Sequence, residues 1–409
     1  MPNYQKAKFS CYFTYLALSS VFCLPPMLFV TFREMYGISY TLLGTLVLIN
    51  FCTQLVVDLV FSFFGKYFNI HKTIRIMPLI TAAGMTVYAL VPMLMPQYAY
   101  AGLVAGTFIF SVAAGLSEVL LSPLIAAIPS KTPDRDMSLL HSLYAYGVLT
   151  VVLISTVFLQ IFGRENWMYL TLGLAVLPII CCVLFCTSTL PPMELSHSTG
   201  EQTAKKRTTG LALCALCIFL GGAAENTMTN WISSYLENVL RISKTLCDII
   251  GLALFAVLLG VGRTWYAKRG KNIYRVLVFG MVGAVVCYLV AALSPIAALS
   301  LLGCVLTGIC TSMLWPGTLI LMEERIPGVG VTAYALMAAA GDFGSSVAPQ
   351  LHGMVVDSVS VSRWASQMGE ALSISSEQVG MKLGMLIAAL FPLLGVVVLM
   401  ILKRKLPPR

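Results

Sequence analysis

The stretch "GLSEVLLSPLIAA", residues 115–127, lies inside a long apolar run and contains one charged residue, Glu118. The nearest charged residues along the chain are Arg75 before it and Lys131 after it. A lone acid in an apolar run of this length is typical of a membrane-spanning helix whose carboxylate faces a polar interior.

The composition of the whole chain favours a membrane protein. Of its 409 residues, 58% are hydrophobic and 11% are charged, and the mean hydropathy is +0.87. Soluble domains have about a quarter charged residues. The alternating pattern of a membrane β-barrel is absent, so the spans are predicted to be helices. Twelve spans are predicted, near residues 9–32, 38–64, 74–95, 98–128, 137–162, 167–190, 210–236, 244–267, 273–294, 296–322, 331–356 and 380–402.

The net charge of +9 has an uneven distribution along the chain. If both termini are cytoplasmic, roughly 20 of the 26 Lys and Arg residues lie on the cytoplasmic side, as the positive-inside rule expects. The basic excess therefore indicates topology, and no nucleic-acid partner is predicted. We expect a multi-pass protein of the cell membrane, in contact with the lipid bilayer. The lack of any Asn-x-Ser/Thr sequence fits a bacterial source.

A polar segment divides the spans into two sets of six. Residues 191–209, "PPMELSHSTGEQTAKKRTT", have the composition of a cytoplasmic linker. The predicted domains are thus an N-terminal half, 1–190, and a C-terminal half, 210–409.

The two halves share a weak repeat. Span four has "GLSEVLLSP" (115–123) and span ten has "GICTSMLWP" (308–316), with Gly and Pro eight residues apart in both. Glu118 corresponds to Thr311, so the acid is specific to one half. The predicted fold is an all-α membrane protein with twelve transmembrane helices in two pseudo-symmetric six-helix halves.

The chain resembles the major facilitator superfamily and, within it, the fucose permease branch of sugar–proton symporters. The residues that carry the resemblance are Gly115 to Glu118 with Pro123, Leu140 to Ser142 with Gly147, Gly222 and Ala223 with Trp231, Pro316 with Leu319, and Gly341 to Pro349. The resemblance implies alternating access and proton-coupled sugar transport. The chain departs from that branch in its first span, 13–32, which has no acid where the fucose permease has one.

Three acids inside predicted spans are candidates for proton coupling. They are Glu118 in span four, Glu225 in span seven and Asp342 in span eleven. An acid within hydrocarbon is costly unless it faces a polar interior, and burial favours the neutral form that carries a proton. His141, at the start of span five, is a fourth candidate and is also suited to capping the cavity mouth. For each acid the alternative is a structural hydrogen bond to a neighbouring helix.

A second set of residues has side chains suited to an uncharged polyol or sugar, which needs amide and hydroxyl contacts and a flat apolar face. The predicted substrate contacts are Asn50, Gln54, Tyr144, Asn226, Asn230, Trp231 and Trp315.

Span seven presents two polar faces. Glu225 and Thr229 share one face, and Asn226 and Asn230 share another, so one pair lines a cavity and the other packs against helices. Trp231 is expected either to stack on a sugar or to anchor the helix at the membrane interface. In span eleven, we expect His352 to be solvated near the outer end.

Two charged residues near cytoplasmic span ends are predicted to take part in gating. Asp58 precedes the basic loop with Lys66, and Arg263 precedes "YAKRGKN". Each is interpreted as part of a latch between the halves, and the alternative is ordinary interfacial charge pairing.

The predicted function is secondary active transport, with proton-coupled uptake of a small polar solute such as a sugar. The alternatives are a proton-driven multidrug or metabolite exporter and a passive uniporter. A membrane-embedded enzyme is disfavoured because it needs metal-binding acidic pairs or a nucleophile–base set, whereas the cytoplasmic loops are short and Asp134 and Asp136 are their only close Asp pair. ATP-driven pumping is also disfavoured, because the chain has no glycine-rich phosphate loop. A receptor or scaffold needs no unpaired acids in its interior. The only partners predicted besides lipid are the solute and the proton; no cofactor and no metal site are predicted.

Overall fold

The structure is a computed structural model that describes residues 4–64, 67–131, 133–192, 204–326 and 331–405. Within these ranges all regular elements are helical. The α-helices are α1 (Gln5–Met27), α2 (Phe29–Tyr36), α3 (Tyr40–Phe64), α4 (Ile70–Leu94), α5 (Ala99–Ala127), α6 (Pro133–Phe162), α7 (Trp167–Leu174), α8 (Val176–Cys186), α9 (Ala204–Leu240), α10 (Lys244–Leu246), α11 (Leu254–Arg269), α12 (Ile273–Leu293), α13 (Ala297–Thr311), α14 (Leu314–Arg325), α15 (Val331–Ser360), α16 (Arg363–Leu372), α17 (Ser376–Ala388) and α18 (Leu390–Lys405). Pro96–Tyr98 and Arg164–Asn166 are 3₁₀ turns, and Cys247–Ala253 is a π-helix.

The helices match the predicted spans. Among the described residues, eleven segments are long and apolar enough to cross a membrane. The remaining predicted span corresponds to α15, whose 30 residues exceed the roughly 20 that a bilayer requires. Its hydropathy is lowered by polar residues such as Asp342, Gln350 and His352. The predicted all-α, twelve-span fold class is confirmed.

Several spans consist of two consecutive helices. The break after α1 has a clear local cause, because Pro25 and Pro26 lie in its last turn and lack backbone N–H groups. The N–H of Leu28 then donates to the carbonyl of Pro25 at 3.0 Å, and α2 continues the span. Pairs α7–α8, α13–α14 and α17–α18 are also interrupted, at Ala175, Ser312 and Ala389.

The chain forms two compact units. Unit 1 comprises Met1–Ile38 and Ile49–Ser196, and unit 2 comprises Ser39–Leu48 and His197–Arg409. The predicted halves are 1–190 and 210–409, which places residues 39–48 in the N-terminal half. The structure groups these residues with unit 2. The boundary predicted at 191–209 lies mostly outside the described residues.

Unit 1 has an apolar core between its helices. Helix α4 packs along α5, and α1 packs along α6. The core includes Ile74, Leu120, Leu140 and Phe185, all of them fully buried.

In unit 2, α15 packs along α9 and α17, and α12 packs along α13. The contact between α9 and α15 is close because Gly344 lies directly against the backbone of Phe219, where a Cβ would have no room. All twelve cysteines of the chain are unbonded, as expected for small apolar residues.

One helix of unit 2 was not predicted. Helix α16 has only ten residues and joins α15 to α17, with exposed apolar side chains at Trp364, Met368 and Leu372 and buried small residues at Ala365 and Gly369. It is amphipathic and too short to span a membrane, which is why the hydropathy pattern does not reveal it.

An ion pair connects the first and sixth helices of unit 1. Lys8 Nζ on α1 lies 2.5 Å from Asp136 Oδ2 on α6, and both side chains are largely buried. The hydrogen bonds from Lys8 and Ser130, together with the charge of Lys8, hold the pKa of Asp136 below its ordinary value. The ionised form of Asp136 therefore stabilises the folded protein.

We expect Lys8→Gln to lower the midpoint of thermal unfolding at pH 7 by roughly 2–4 °C. Because the pKa of Asp136 is lowered on folding, this stabilisation is complete above the ordinary aspartate pKa of about 3.9 and is lost as the pH falls through the lower folded-state pKa. Thermal unfolding in detergent should show the difference from wild type shrinking below about pH 4. Lys6→Gln, at an exposed position of the same turn, is the control. Equal effects of the two variants would contradict the role of the pair.

Candidate functional site

Unit 1 brings two acids together. Asp58 lies on α3 and is 4% exposed, whereas Glu118 on α5 is exposed. A carboxylate oxygen of Asp58 lies within 4.8 Å of a carboxylate oxygen of Glu118. Asp58 was predicted to face the basic loop, but it lies about 9 Å along the helix from its end at Phe64. The gating role of Asp58 stays a prediction, and Lys66 lies outside the described residues.

Two ionised carboxylates at this distance repel each other. The repulsion amounts to about 3 kcal/mol at an effective dielectric constant of ~20, and to less where water reaches Glu118. A proton shared between the two groups removes the repulsion, as in other carboxylate pairs. A small hard cation bound between the oxygens has the same effect. This pair can therefore bind and release one positive charge.

The predicted substrate contacts on α3 are part of a buried polar cluster. Gln54 Nε2 donates to Asn50 Oδ1 at 3.1 Å, and Ser111 Oγ on α5 lies 2.6 Å from the same Asn50 oxygen. Both amide side chains are buried, and Gln54 is fully so. In this structure the cluster joins α3 to α5, and the substrate role of Asn50 and Gln54 stays a prediction.

Two other predicted residues lie on α6. Tyr144 is partly buried, and its ring meets that of Phe22 edge-on at 5.8 Å. The side chain of His141 lies outside the described part of the chain, so its predicted role in proton transfer is not tested.

Unit 2 has an ion pair inside its spans. Arg263 Nη2 on α11 donates to Glu225 on α9, at 3.1 Å from Oε1 and 3.5 Å from Oε2. Arg263 Nε donates to the carbonyl of Ser312, at the break between α13 and α14, at 3.0 Å. Glu225 therefore has a counter-ion on a neighbouring helix, as a charged side chain at this depth requires. Its proton-coupling role stays a prediction, as does gating by Arg263.

The second polar face of α9 packs against a neighbouring helix. Asn226 Nδ2 donates to Ser345 Oγ on α15 at 2.8 Å, and Asn230 Nδ2 donates to the backbone carbonyl of Asn226 at 2.8 Å. Asn230 is buried. The two predicted faces thus have different surroundings, since Glu225 meets an arginine and the two asparagines meet helix packing. Substrate binding by Asn226 and Asn230 stays a prediction.

Trp231 is buried in unit 2. It is 0% exposed, its Nε1 donates to the carbonyl of Pro349 at 3.0 Å, and its ring centroid lies 4.7 Å from that of His352. The ring is enclosed by the protein, so the expectation of a membrane-interface anchor is wrong, and substrate binding by Trp231 stays a prediction. The expectation of a solvated His352 is also wrong, because His352 is 2% exposed and lies against Gly384.

Trp315 and Asp342 also lie in unit 2. The partly buried ring of Trp315 packs against Gly222 and Gly341, where larger residues would collide with it. Asp342 on α15 is buried. The predicted roles of Trp315 in substrate binding and of Asp342 in proton coupling stay predictions.

The start of α3 is held in unit 2 by two carboxylates. Asp357 on α15 accepts hydrogen bonds from the backbone N–H of Tyr40 at 3.2 Å and of Thr41 at 2.6 Å. Glu377 on α17 accepts from the hydroxyl of Tyr40 at 2.7 Å. Asp357 thus caps a helix to which it does not belong, and its charge complements the positive end of the helix dipole. We name the group Tyr40, Thr41, Asp357 and Glu377 the α3 clamp.

The sequence pattern does not single out the clamp, because its hydrogen bonds join residues 316 or more positions apart and both acids lie near span ends. Asp248, in contrast, carries the same signal as Glu118, namely an acid within a predicted span. It is 1% exposed in the π-helix and accepts a hydrogen bond from Ser233 Oγ at 2.6 Å.

Comparisons with known proteins agree with this architecture. The family described as Major Facilitator Superfamily matches residues 9–349. A comparison with curated protein sequences finds no match. Similar solved structures include a bacterial homolog of the human lysosomal transporter Spinster, in an inward-facing and occupied conformation, with a TM-score of 0.74 and 14% identity over 99% of this chain and 98% of that one.

Two further structures are those of sugar transporters. A D-xylose-proton symporter has a TM-score of 0.73 and 13% identity over 95% of this chain and 97% of that one. The Escherichia coli fucose:proton symporter has a TM-score of 0.62 and 14% identity over 97% of this chain and 98% of that one. At these identities the likeness shows the fold alone.

We expect Asp357→Asn to speed amide hydrogen exchange in the first turn of α3 by roughly tenfold, because a hydrogen bond to a charged group is lost and an amide oxygen caps more weakly. Exchange of peptides covering residues 40–43 measures the effect. Glu370→Gln, an exposed acid on α16, is the matched control. Unchanged exchange in Asp357→Asn would show that the clamp does not hold α3.

Proposed function

The chain belongs to the major facilitator superfamily, and from that membership we propose that it is a proton-coupled secondary active transporter that takes up a small polar solute such as a sugar by alternating access. Members of this family are membrane transporters, and this chain is a multi-pass membrane protein. We further propose a bacterial cell membrane as its location, with both termini in the cytoplasm.

The observation that carries proton coupling is the pair of carboxylates, Asp58 and Glu118, within 4.8 Å on adjacent helices of unit 1. One member of the pair is buried and the other is exposed. An exposed acid beside a buried one can take a proton from water and hold it against a second carboxylate. A group that binds a proton on one side of the membrane and releases it on the other is the requirement for coupling.

The α3 clamp supports alternating access. In this mechanism one repeat moves against the other around a fixed site. Residues 39–48 are part of unit 2, while the rest of α3 is part of unit 1. The clamp consists of a few polar contacts that water can replace, and its opening would free the start of α3 from α15 and α17. We propose that it opens and closes during the transport cycle.

A sugar is the first substrate class to test. The D-xylose-proton and fucose:proton symporters have similar folds. In this chain Tyr144 and Trp315 are partly exposed aromatic residues, which suit the apolar face of a sugar ring. An exporter of amphipathic compounds and a passive uniporter remain the alternatives that the experiment distinguishes.

We expect purified protein in proteoliposomes to accumulate at least one member of a sugar panel when an inward proton gradient is imposed. In Glu118→Gln, accumulation should fall to the level reached without a gradient, while exchange of internal for external sugar continues, because the amide cannot carry a proton. Glu34→Gln removes an exposed acid whose partner is Arg164 and should behave as wild type.

The outcomes separate the possibilities. Unchanged accumulation in Glu118→Gln would contradict proton coupling at this pair. Accumulation that follows a sodium gradient in place of a proton gradient would assign the pair to a cation. Facilitated entry without accumulation would indicate a uniporter, and gradient-driven expulsion of amphipathic cations without sugar uptake would indicate an exporter.

A further inference from the structure

In the ion pair of unit 2, Arg263 has N–H donors that its described partners do not use. A guanidinium group has five N–H donors in a planar fork. Arg263 uses Nε for the carbonyl of Ser312 and Nη2 for Glu225. Among the residues that the structure describes, Nη1 has no hydrogen-bond acceptor. Two donors of a permanently charged group are therefore available.

The side chains of this ion pair are partly exposed. The side chain of Arg263 is 32% exposed and that of Glu225 is 14% exposed. Here the carboxylate is the more enclosed partner, and the guanidinium is the more accessible one.

The charges of Arg263 and Glu225 limit which ligands can bind to this ion pair. Arginine stays protonated, whereas Glu225 can be neutralised by a proton. When Glu225 takes a proton, Arg263 loses its counter-ion within the membrane, and that loss is costly unless another anion replaces the carboxylate. A carboxylate has the geometry to accept two parallel N–H bonds from the guanidinium fork.

We propose that Arg263 is the binding site for the carboxylate of the transported solute, and that this solute is a hydroxylated monocarboxylate of sugar size, such as a sugar acid. The proposal rests on the proposed function and replaces its neutral sugar by an acid. Binding of each acid is accompanied by uptake of one proton at Glu225, which balances the negative charge of the solute at this site. By linkage, protonation of Glu225 and binding of the acid favour each other to the same extent.

The neighbourhood of Arg263 fits the remainder of such a solute. Ser312, whose carbonyl accepts a hydrogen bond from Arg263, precedes the partly buried Trp315 by three residues across the break between α13 and α14. Trp315 packs on Gly222, which precedes Glu225 by one turn of α9. The flat aromatic ring of Trp315 suits the ring of a compound that has one anionic group.

The test uses pairs of solutes that differ in charge: D-glucuronate and D-glucose, D-galacturonate and D-galactose, D-gluconate and D-sorbitol. Binding to the purified full-length protein is measured by calorimetry at constant ionic strength. We expect at least one acid to bind about tenfold or more tightly than its neutral partner, because a bidentate charge-assisted contact is available only to the acid. In Arg263→Gln this ratio should fall to about one. Arg269→Gln, an exposed position on the same helix, should retain the preference.

Proton uptake on binding of the acid is measured separately. Calorimetry in buffers of different ionisation enthalpy should show uptake of one proton per bound acid in wild type. Glu225→Gln should bind the acid at least as tightly with no proton uptake, because Arg263 then has no competing carboxylate. Because Arg263→Gln leaves Glu225 without its counter-ion, the double variant Glu225→Gln/Arg263→Gln is the folding control, and it should fold and show no preference for acids.

Three results would overturn the proposal: absence of acid preference in all three pairs, persistence of the preference in the double variant, or proton uptake that survives Glu225→Gln. Gradient-driven accumulation of neutral sugars without dependence on Arg263 would overturn this inference and leave the proposed function in place. Failure of every solute to accumulate would contradict the proposed function itself.

Discussion

A charged group inside a membrane-spanning helix needs a partner from another helix, because hydrocarbon provides none. Three pairings of charged groups in this protein illustrate that constraint. Glu225 lies beside Arg263, Asp58 lies beside Glu118, and Asp357 accepts hydrogen bonds at the N-terminus of α3. Each of them joins two helices.

The two units meet this constraint in different ways. In unit 1 an acid lies beside an acid, and a bound positive charge would remove the repulsion between their ionised forms. In unit 2 an acid lies beside an arginine, and the ionised pair is neutral. The repeat in the sequence already has this asymmetry, because Glu118 corresponds to Thr311 in the second half.

The sequence predicts the helices well because a bilayer requires long apolar segments, and the spans from α1 to α18 follow from that requirement alone. It also identifies Glu118 and Glu225, since acids are rare in such segments. It does not predict their partners. Asp58 and Arg263 each lie six residues before the end of a helix, close enough to basic loops to be assigned to the membrane surface. Their side chains instead lie beside acids on neighbouring helices.

Other features depend on tertiary contacts that leave no pattern in the sequence. The α3 clamp joins residues more than 300 positions apart, and the burial of Trp231 depends on the packing of α15 against α9. Helix α16 is too short for a hydropathy signal. These features can be identified only in the three-dimensional structure, because the sequence alone leaves several possible partners for each polar group.

Infrared difference spectroscopy of the protein in lipid measures whether Asp58 and Glu118 share one proton. We expect the carbonyl stretch of a protonated carboxyl group near neutral pH in wild type and its loss at the same pH in Asp58→Asn and in Glu118→Gln, because the remaining acid no longer lies beside a second carboxylate. An identical protonated carboxyl signal in wild type and in both variants would show that the pair does not share a proton.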